Sequence, residues 1–184
     1  MTGMARRVLV AGIGNVFLGD DAFGVEVARR LATEPGAPGV DVIDVGTGGV
    51  HLAYELLDGR WAALVLVDAI DRDDAPGTLF VLEPELCPDG PPGDAKPADG
   101  AVRAPVADGH GMDPGTVLEL LQALGAMPER VLVVGCQPGE VVARMGLSPP
   151  VAAVVDQAAA LVAAVAAGEL RRLGPVHVDA AEVG

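Results

Sequence analysis

The sequence of 184 residues contains a small set of side chains whose chemistry suits binding a divalent metal ion or activating water. This set comprises Asp20, Asp21, Asp68 and His110. Two carboxylates and one imidazole that leave coordination positions vacant form a reasonable ligand set for a divalent transition metal. Because the aspartates at 20–21, Asp68 and His110 lie far apart in the sequence, their spacing alone does not establish such a site.

Each of these residues also has a structural interpretation without chemistry. Asp20 can cap the helix that follows it, which we expect to be its main role. Asp21 in the first helical turn would gain from the helix macrodipole. His110 lies between two glycines and fits an exposed loop. Asp68 is harder to explain, because an acid at the end of an apolar strand needs a partner or a purpose. The pattern alone therefore leaves a metal site and a structural interpretation open.

The glycine-rich stretch GIGNVFLG at 12–19 also admits a dinucleotide-binding interpretation. Gly12 and Gly14 fit the first two glycines of that motif, but Phe17 occupies the position of the third. The acids that follow would also repel a pyrophosphate. A second glycine turn, GTGG at 46–49, is adequately explained as a tight turn into a helix. Nucleotide binding is therefore the weaker alternative.

Few side chains in the sequence are suited to nucleophilic catalysis. Cys136 lies within an apolar run and is predicted to be an inert core residue. Cys87 has no histidine close by in the sequence, and Ser148, the only serine, precedes two prolines and is predicted to be an N-cap. Attack by a water molecule is therefore the more economical chemistry.

Alternating apolar runs and helical periodicity predict the elements that must position these residues. We predict strands at 7–14, 40–46, 61–70, 77–84 and 130–138, and helices at 21–32, 49–58, 114–125 and 149–170. Asp113 is predicted to cap the third helix. The alternation indicates the α/β class with a mostly parallel sheet. In such a sheet ligands bind outside the carboxyl ends of the strands, so three strand-end regions could bring the acids and His110 together on one rim.

The domain organisation follows from the same pattern. Residues 1–173 form a single α/β domain, within which 84–111 is a long loop rich in proline, glycine and aspartate. Residues 174–184 form a loose tail. An aperiodic loop of this length is uncommon in a compact domain and is usually functional or disordered.

Composition excludes several classes of function. The chain carries 26 acidic and 12 basic residues and no basic stripe, which argues against nucleic acid as a partner. Two cysteines suit a reducing compartment, and we predict a cytoplasmic protein. The apolar run after Arg7 is too short for a signal peptide, and the Ala-rich C-terminal helix carries Asp156, so no membrane segment is predicted. Small size and acidity favour a monomer.

Six motifs resemble those of the hydrogenase maturation endopeptidases and follow the order of that family. They are GIGNVFLGDDAFGV (12–25), DVGTGGVHL (44–52), LVDAID (66–71), DGHGMD (108–113), VVGCQPGEV (133–141) and GLSPPV (146–151). The first motif is specific, whereas the others are individually weak and jointly persuasive. Together they cover most of the chain.

The resemblance implies a three-layer fold with a five-stranded twisted sheet between helices. It also implies a catalytic metal site on the rim of the sheet, with Asp21, Asp68 and His110 as ligands. In this family nickel is thought to arrive with the substrate, the large-subunit precursor of a nickel–iron hydrogenase. The implied reaction is endopeptidase removal of the precursor's C-terminal extension, and the family is often grouped with aspartic peptidases.

Two positions depart from the family pattern, and alternatives to cleavage stay open. Asp21 stands where some members have glutamate, and Gln137 stands where members often have an acid. Asp44 and the turn at 46–49 would lie near the same cleft. A non-enzymatic nickel-binding checkpoint or chaperone would use the same three ligands without cutting. A paralogous peptidase acting on another precursor is a further alternative.

Overall fold

The computed structural model describes residues 6–84 and 113–174, which form five strands, five α-helices and a 3₁₀ turn. The strands are β1 Arg7–Ile13, β2 Val40–Gly46, β3 Trp61–Ala69, β4 Leu79–Leu82 and β5 Arg130–Cys136. The helices are α1 Phe23–Ala32, α2 Gly49–Leu57, α3 Pro114–Ala123, α4 Pro149–Ala152 and α5 Val155–Arg172, and the 3₁₀ turn is Gly19–Ala22. The predicted loop at 84–111 and tail at 174–184 lie outside the described residues apart from Pro84 and Gly174.

The strands form one mixed sheet in the order β2-β1-β3-β5-β4. The pairs β1–β2, β1–β3 and β3–β5 are parallel, and β4 is antiparallel to β5. The prediction of a mostly parallel, five-stranded sheet is therefore confirmed. The antiparallel direction of β4 follows from its connection to β3, because residues 70–78 are too few for the crossover that a parallel strand needs.

Helices cover both faces of this sheet and produce two apolar cores. Successive side chains of a strand point to opposite faces, so each strand contributes to both cores. One core joins Val8, Val10, Val65 and Val67 to Phe23 and Val27 of α1 and to Val162 of α5. The other joins Leu9, Ala11, Leu64 and Leu66 to Leu52 of α2 and Leu121 of α3. The sheet is thus the middle layer of three, and β3 is buried as predicted.

Two glycines let α1 approach the sheet closely. A Cβ atom on Gly12 would lie 2.2 Å from the carbonyl oxygen of Gly24, and one on Gly24 would lie 2.0 Å from the carbonyl oxygen of Val67. Any larger residue would push α1 away from β1 and β3. Gly12 therefore serves the packing of helix on strand, which fixes the 3₁₀ turn at the carboxyl end of β1.

All four predicted helices differ from their observed bounds: α2 ends one residue early and α3 two residues early, and the other two helices differ more. The predicted helix at 21–32 begins as the 3₁₀ turn Gly19–Ala22 and becomes α-helical only at Phe23. The predicted helix at 149–170 is divided into α4 and α5. The break falls at Ala153 and Val154, and a β-branched residue such as Val154 favours a helix less than alanine does. Among the described residues, no helix is both long enough and apolar enough to cross a membrane.

Candidate active site at the carboxyl ends of the strands

A cleft of about 80 Å³ opens where β1, β2 and β3 end. Its lining residues are Gly14, Asp21, Gly46, Thr47, Asp68, Ala69 and Asp113. The structure therefore brings Asp21 and Asp68 to one cleft, and the GTGG turn reaches it through Gly46 and Thr47. Asp44 does not line the cleft and instead pairs with Arg29 at 3.1 Å.

Asp68 is a buried carboxyl group at the end of β3. It is 4% exposed, and its Oδ1 accepts a hydrogen bond of 2.8 Å from the backbone N–H of Ala69. Burial raises the pKa of Asp68 well above its usual value, and the neighbouring charges of Asp21 and Asp113 raise it further. Among the described residues, no basic side chain forms an ion pair with Asp68. The site is thus suited to a proton or a metal cation.

Asp21 is half-buried in the 3₁₀ turn and faces the same cleft. Its Oδ2 accepts a hydrogen bond of 2.8 Å from the backbone N–H of Asn15. Burial raises the pKa of Asp21, although this hydrogen bond acts in the opposite direction. The Asn15 amide in the glycine-rich loop, which a phosphate could have used, is therefore occupied by a carboxylate of the chain itself. This arrangement disfavours the dinucleotide alternative.

Asp113 is a third acid on the cleft, which the sequence analysis assigned only as a helix cap. The cap is confirmed, because its carboxylate accepts from the backbone N–H of Thr116 at 3.1 Å and from the Thr116 hydroxyl at 2.8 Å. Its cleft position was missed, although it closes the same DGHGMD motif that contains His110. His110 lies outside the described residues.

The described residues do not by themselves form a metal site. Within 6–84 and 113–174, no group of three or more His, Cys, Asp or Glu side chains gathers closely enough to hold a metal ion. Asp21 and Asp68 offer hard carboxylate oxygens, which suit a divalent cation when further ligands are added. Complete coordination would therefore need donors from outside these residues.

Asp20 does not cap a helix, and the prediction that it does is wrong. Neither the 3₁₀ turn nor α1 has a side-chain cap. The fully buried Asp20 carboxylate instead accepts from the backbone N–H groups of Gly139 and Glu140, each at 2.8 Å, and from the N–H and hydroxyl of Ser148 at 2.5 and 2.7 Å. Ser148 occupies the N-cap position of α4, but its side chain does not cap that helix either.

Hydrogen bonding decides the charge state of Asp20. Burial by itself would raise the pKa of this carboxyl group, but the hydrogen bonds from Ser148, Glu140 and Gly139 outweigh burial and hold the pKa below its usual value. Asp20 is therefore ionised at neutral pH, and donors from the loop between β5 and α4 stabilise its negative charge.

Gln137 links the end of β5 to the loop that follows β3. Its Oε1 accepts from the backbone N–H groups of Arg72 at 2.7 Å and Asp74 at 3.2 Å, and its Nε2 donates to Asp71 at 2.9 Å. The bond from Gln137 lowers the pKa of Asp71. A carboxylate at position 137 could accept but not donate, so glutamine fits this pair of segments better than an acid would.

The cysteine in β5 is not a nucleophile. Cys136 is fully buried, and burial raises its pKa to about 11, so the thiol stays protonated at neutral pH. This finding agrees with the prediction of an inert core residue. Cys87 lies outside the described residues. The fold and the cleft together define an α/β protein with three carboxyl groups, those of Asp21, Asp68 and Asp113, in a cleft at the carboxyl ends of its strands.

Comparison with known proteins identifies the family. Residues 25–91 and 98–165 match the family model described as hydrogenase maturation protease. The hydrogenase 2 maturation protease of Escherichia coli is 30% identical over 154 residues, covering 83% of this chain and 85% of that protein. The hydrogenase expression/formation protein HupD of Rhodobacter capsulatus is 35% identical over 157 residues, covering 84% and 69%. This chain therefore belongs to the hydrogenase maturation protease family, and by that membership it is a peptidase.

Solved structures support the same assignment. The hydrogenase maturating endopeptidase HybD of E. coli is similar with a TM-score of 0.65 and 26% identity, covering 91% of this chain and 94% of that one. The maturation protease HycI of Thermococcus kodakarensis also gives a TM-score of 0.65, with 25% identity and coverage of 90% and 95%. The layered fold described above is thus the fold of known members.

Proposed function

We propose that this protein removes the C-terminal extension of the large-subunit precursor of a nickel–iron hydrogenase after nickel insertion. The observation that carries the proposal is the pair Asp21 and Asp68, two carboxyl groups of raised pKa in one cleft, in a chain of this peptidase family. We assign His110 as the third member of the site. The protein acts as a cytoplasmic monomer on this precursor.

The position of Asp113 supports the assignment of His110. Asp113 lines the cleft, and His110 precedes it by three residues in the sequence. Three residues of fully extended chain span at most about 11 Å. Chain connectivity therefore permits the imidazole to join the two carboxylates, although the sequence separation from Asp21 and Asp68 is large.

Nickel enters this proposal as part of the substrate. Two carboxylates and an imidazole fill only part of the coordination sphere of a divalent cation. The protein therefore binds the metal tightly only when the precursor supplies the remaining ligands. Nickel in this position would supply a Lewis acid beside the scissile carbonyl group. Requiring metal for productive binding lets the peptidase distinguish a loaded precursor from an empty one.

The carboxylates of the chain carry the proton transfer. Asp68 is buried, and burial raises its pKa, which makes its carboxylate a stronger base than that of an exposed aspartate. Asp68 accepts a proton from the attacking water and returns it to the leaving amine nitrogen as the peptide C–N bond breaks, and Asp21, held by the Asn15 amide, keeps its carboxylate directed at the cleft. No covalent intermediate with the protein is needed.

The test uses the purified protein and the host's large-subunit precursor in nickel-loaded and nickel-free forms. Intact mass spectrometry should show loss of a C-terminal peptide from the loaded form only. A nickel-dependent complex without loss of mass would instead favour the checkpoint function, and cleavage of both forms would remove the sensing role. Cleavage of a different precursor alone would favour the paralogous peptidase.

A further inference from the structure

An exposed apolar surface lies on the rim of the sheet beside the cleft. We call it the rim surface and define it by Phe17, Val141, Val142 and Met145, whose exposures are 64%, 52%, 51% and 73%. These are four of the nine large apolar side chains that are exposed among residues 6–84 and 113–174. A cluster of exposed apolar side chains marks an interaction site more often than single ones do.

Two distant segments are joined to make the rim surface. The backbone N–H of Arg144 donates to the carbonyl of Phe17 at 3.0 Å, and the N–H of Gly19 donates to the carbonyl of Arg144 at 2.9 Å. The N–H of Asp20 donates to the carbonyl of Glu140 at 2.9 Å. The loop after β1 and the loop after β5 therefore run side by side and present their apolar side chains together.

The buried carboxylate of Asp20 fixes these two loops to each other. Its hydrogen bonds from Gly139, Glu140 and Ser148 all come from the loop after β5. Gly19 allows the close contact, because its φ is +61° and a Cβ atom there would lie 2.6 Å from the carbonyl oxygen of Glu140. A buried charge held by so many donors is a rigid attachment, so the rim surface is formed before any partner arrives.

The rim surface is continuous with the cleft through a short hydrogen-bonded chain. The backbone N–H of Phe17 donates to Oδ1 of Asn15 at 3.0 Å, and the backbone N–H of Asn15 donates to Asp21 at 2.8 Å. Phe17 is therefore close enough to Asp21 for one bound polypeptide segment to contact both residues.

Two charged side chains in the loop that carries the rim surface form an ion pair with each other. Arg144 pairs with Glu140 at 2.8 Å, whereas the whole chain has a formal net charge of −14. This part of an acidic protein can thus approach an apolar segment without a large desolvation of unpaired charge.

We propose that the rim surface docks an apolar segment of the large-subunit precursor beside the bond that is cleaved. The inference rests on the proposed function for the identity of the partner. Continuity with Asp21 favours the precursor over a second copy of this chain, since a second copy seated here would crowd the entrance to the cleft. Docking supplies affinity from contacts that nickel does not provide.

The binding experiment compares matched pairs of substitutions on the nickel-free precursor, which the proposed function leaves uncut. The rim variant is Val142→Ser with Met145→Ser. The control is Tyr54→Ser with Leu57→Ser, two side chains 70% and 46% exposed on α2. Helix α2 leads from the carboxyl end of β2 to the amino end of β3, so its last turn lies at the end of the sheet away from the cleft. We expect the rim variant to bind the precursor at least tenfold more weakly and the control to bind within twofold of wild type.

The cleavage experiment uses the nickel-loaded precursor and the same variants. We expect a rise in KM of similar size in the rim variant with kcat within twofold, because the contacts are the same in ground and transition states. If wild type does not cut the precursor but binds it in a rim-dependent manner, the docking surface stands and the proposed function fails.

Three results would overturn the docking proposal. They are unchanged affinity in the rim variant, no binding of the precursor by wild type, and self-association of the protein that the rim substitutions abolish. Met145→Ser alone, at the most exposed of the four positions, repeats the test with less risk to folding.

Discussion

Asp20 accepts hydrogen bonds from both the backbone N–H and the hydroxyl of Ser148, a residue 128 positions later in the chain. The next residue, Asp21, faces the cleft instead. The pKa of Asp20 is lowered and that of Asp21 is raised, so two adjacent identical side chains have opposite electrostatic environments. The Asp20 carboxylate joins two loops at the rim of the sheet, and we propose that the Asp21 carboxylate takes part in catalysis.

Removing the charge of Asp20 should destabilise the fold. Asp20→Asn replaces one acceptor oxygen by an N–H₂ group that faces donors from the loop after β5. We expect the free energy of unfolding to fall by about 2–4 kcal/mol, as for loss of charge-assisted hydrogen bonds in a buried site. Urea denaturation measures this change. The exposed Asp58→Asn should change stability by no more than about 0.5 kcal/mol, and equal stability of both variants would contradict the role of Asp20.

The same carboxylate predicts a pH dependence of stability. The pKa of Asp20 is lower in the folded protein than its usual value of 3.8. Its contribution is therefore fully present above pH 3.8 and is lost as the pH falls through the folded pKa. We expect wild type to lose more stability than Asp20→Asn between about pH 4 and pH 2. Parallel stability curves for the two proteins over that range would count against an ionised Asp20.

A residue's role in this site can be predicted from the sequence only when the groups that it contacts lie close to it along the chain. The strands are predictable because their Val- and Leu-rich runs are local, and Asp68 stands out because an acid interrupts such a run. Asp20 was misassigned because its donors lie 119–128 residues away, and no local pattern distinguishes it from Asp21. The antiparallel β4 was not specified either, since its direction depends on the reach of the connection rather than on its residues.

An acid at position 137 should weaken the loop after β3. Gln137→Glu removes the hydrogen bond to Asp71 and places two carboxylates at that contact. We expect a loss of about 1–2 kcal/mol at pH 7, which shrinks at acidic pH as a carboxyl group takes up a proton. Thermal denaturation at pH 7 and pH 4.5 tests this expectation. Gln157→Glu on the exposed side of α5 is the matched control and should have little effect at either pH.

Loss of the imidazole at position 110 should abolish cleavage without unfolding the protein. In the proposed site His110 serves as a metal ligand, so we expect His110→Ala to retain the wild-type Tm within about 2 °C. Intact mass spectrometry of the nickel-loaded precursor should show no peptide loss. His51→Ala, an exposed histidine on α2, should cleave normally. Normal cleavage by the His110 variant would remove this residue from the site.

Neutralising Asp68 should make the protein more stable and inactive at the same time. The pKa of Asp68 is raised in the folded state, so its ionised form costs stability as the pH rises through that value, and the cost is absent at low pH. Asp68→Asn removes the buried charge while keeping the shape of the side chain. We expect the free energy of unfolding at pH 8 to rise by about 1 kcal/mol or more, which corresponds to roughly 2–4 °C in Tm for a domain of this size.

The pH dependence separates a functional Asp68 from a merely structural one. The stability advantage of Asp68→Asn should shrink toward acidic pH, where wild type is protonated at the same position and resembles the variant. Cleavage of the nickel-loaded precursor should be lost at every pH, because an amide can neither accept the proton of water nor bind a cation as a carboxylate does. A structural acid would show the reverse: lower stability on substitution and retained cleavage. That reverse result would move the chemistry away from β3 and leave Asp21 without its partner in the cleft.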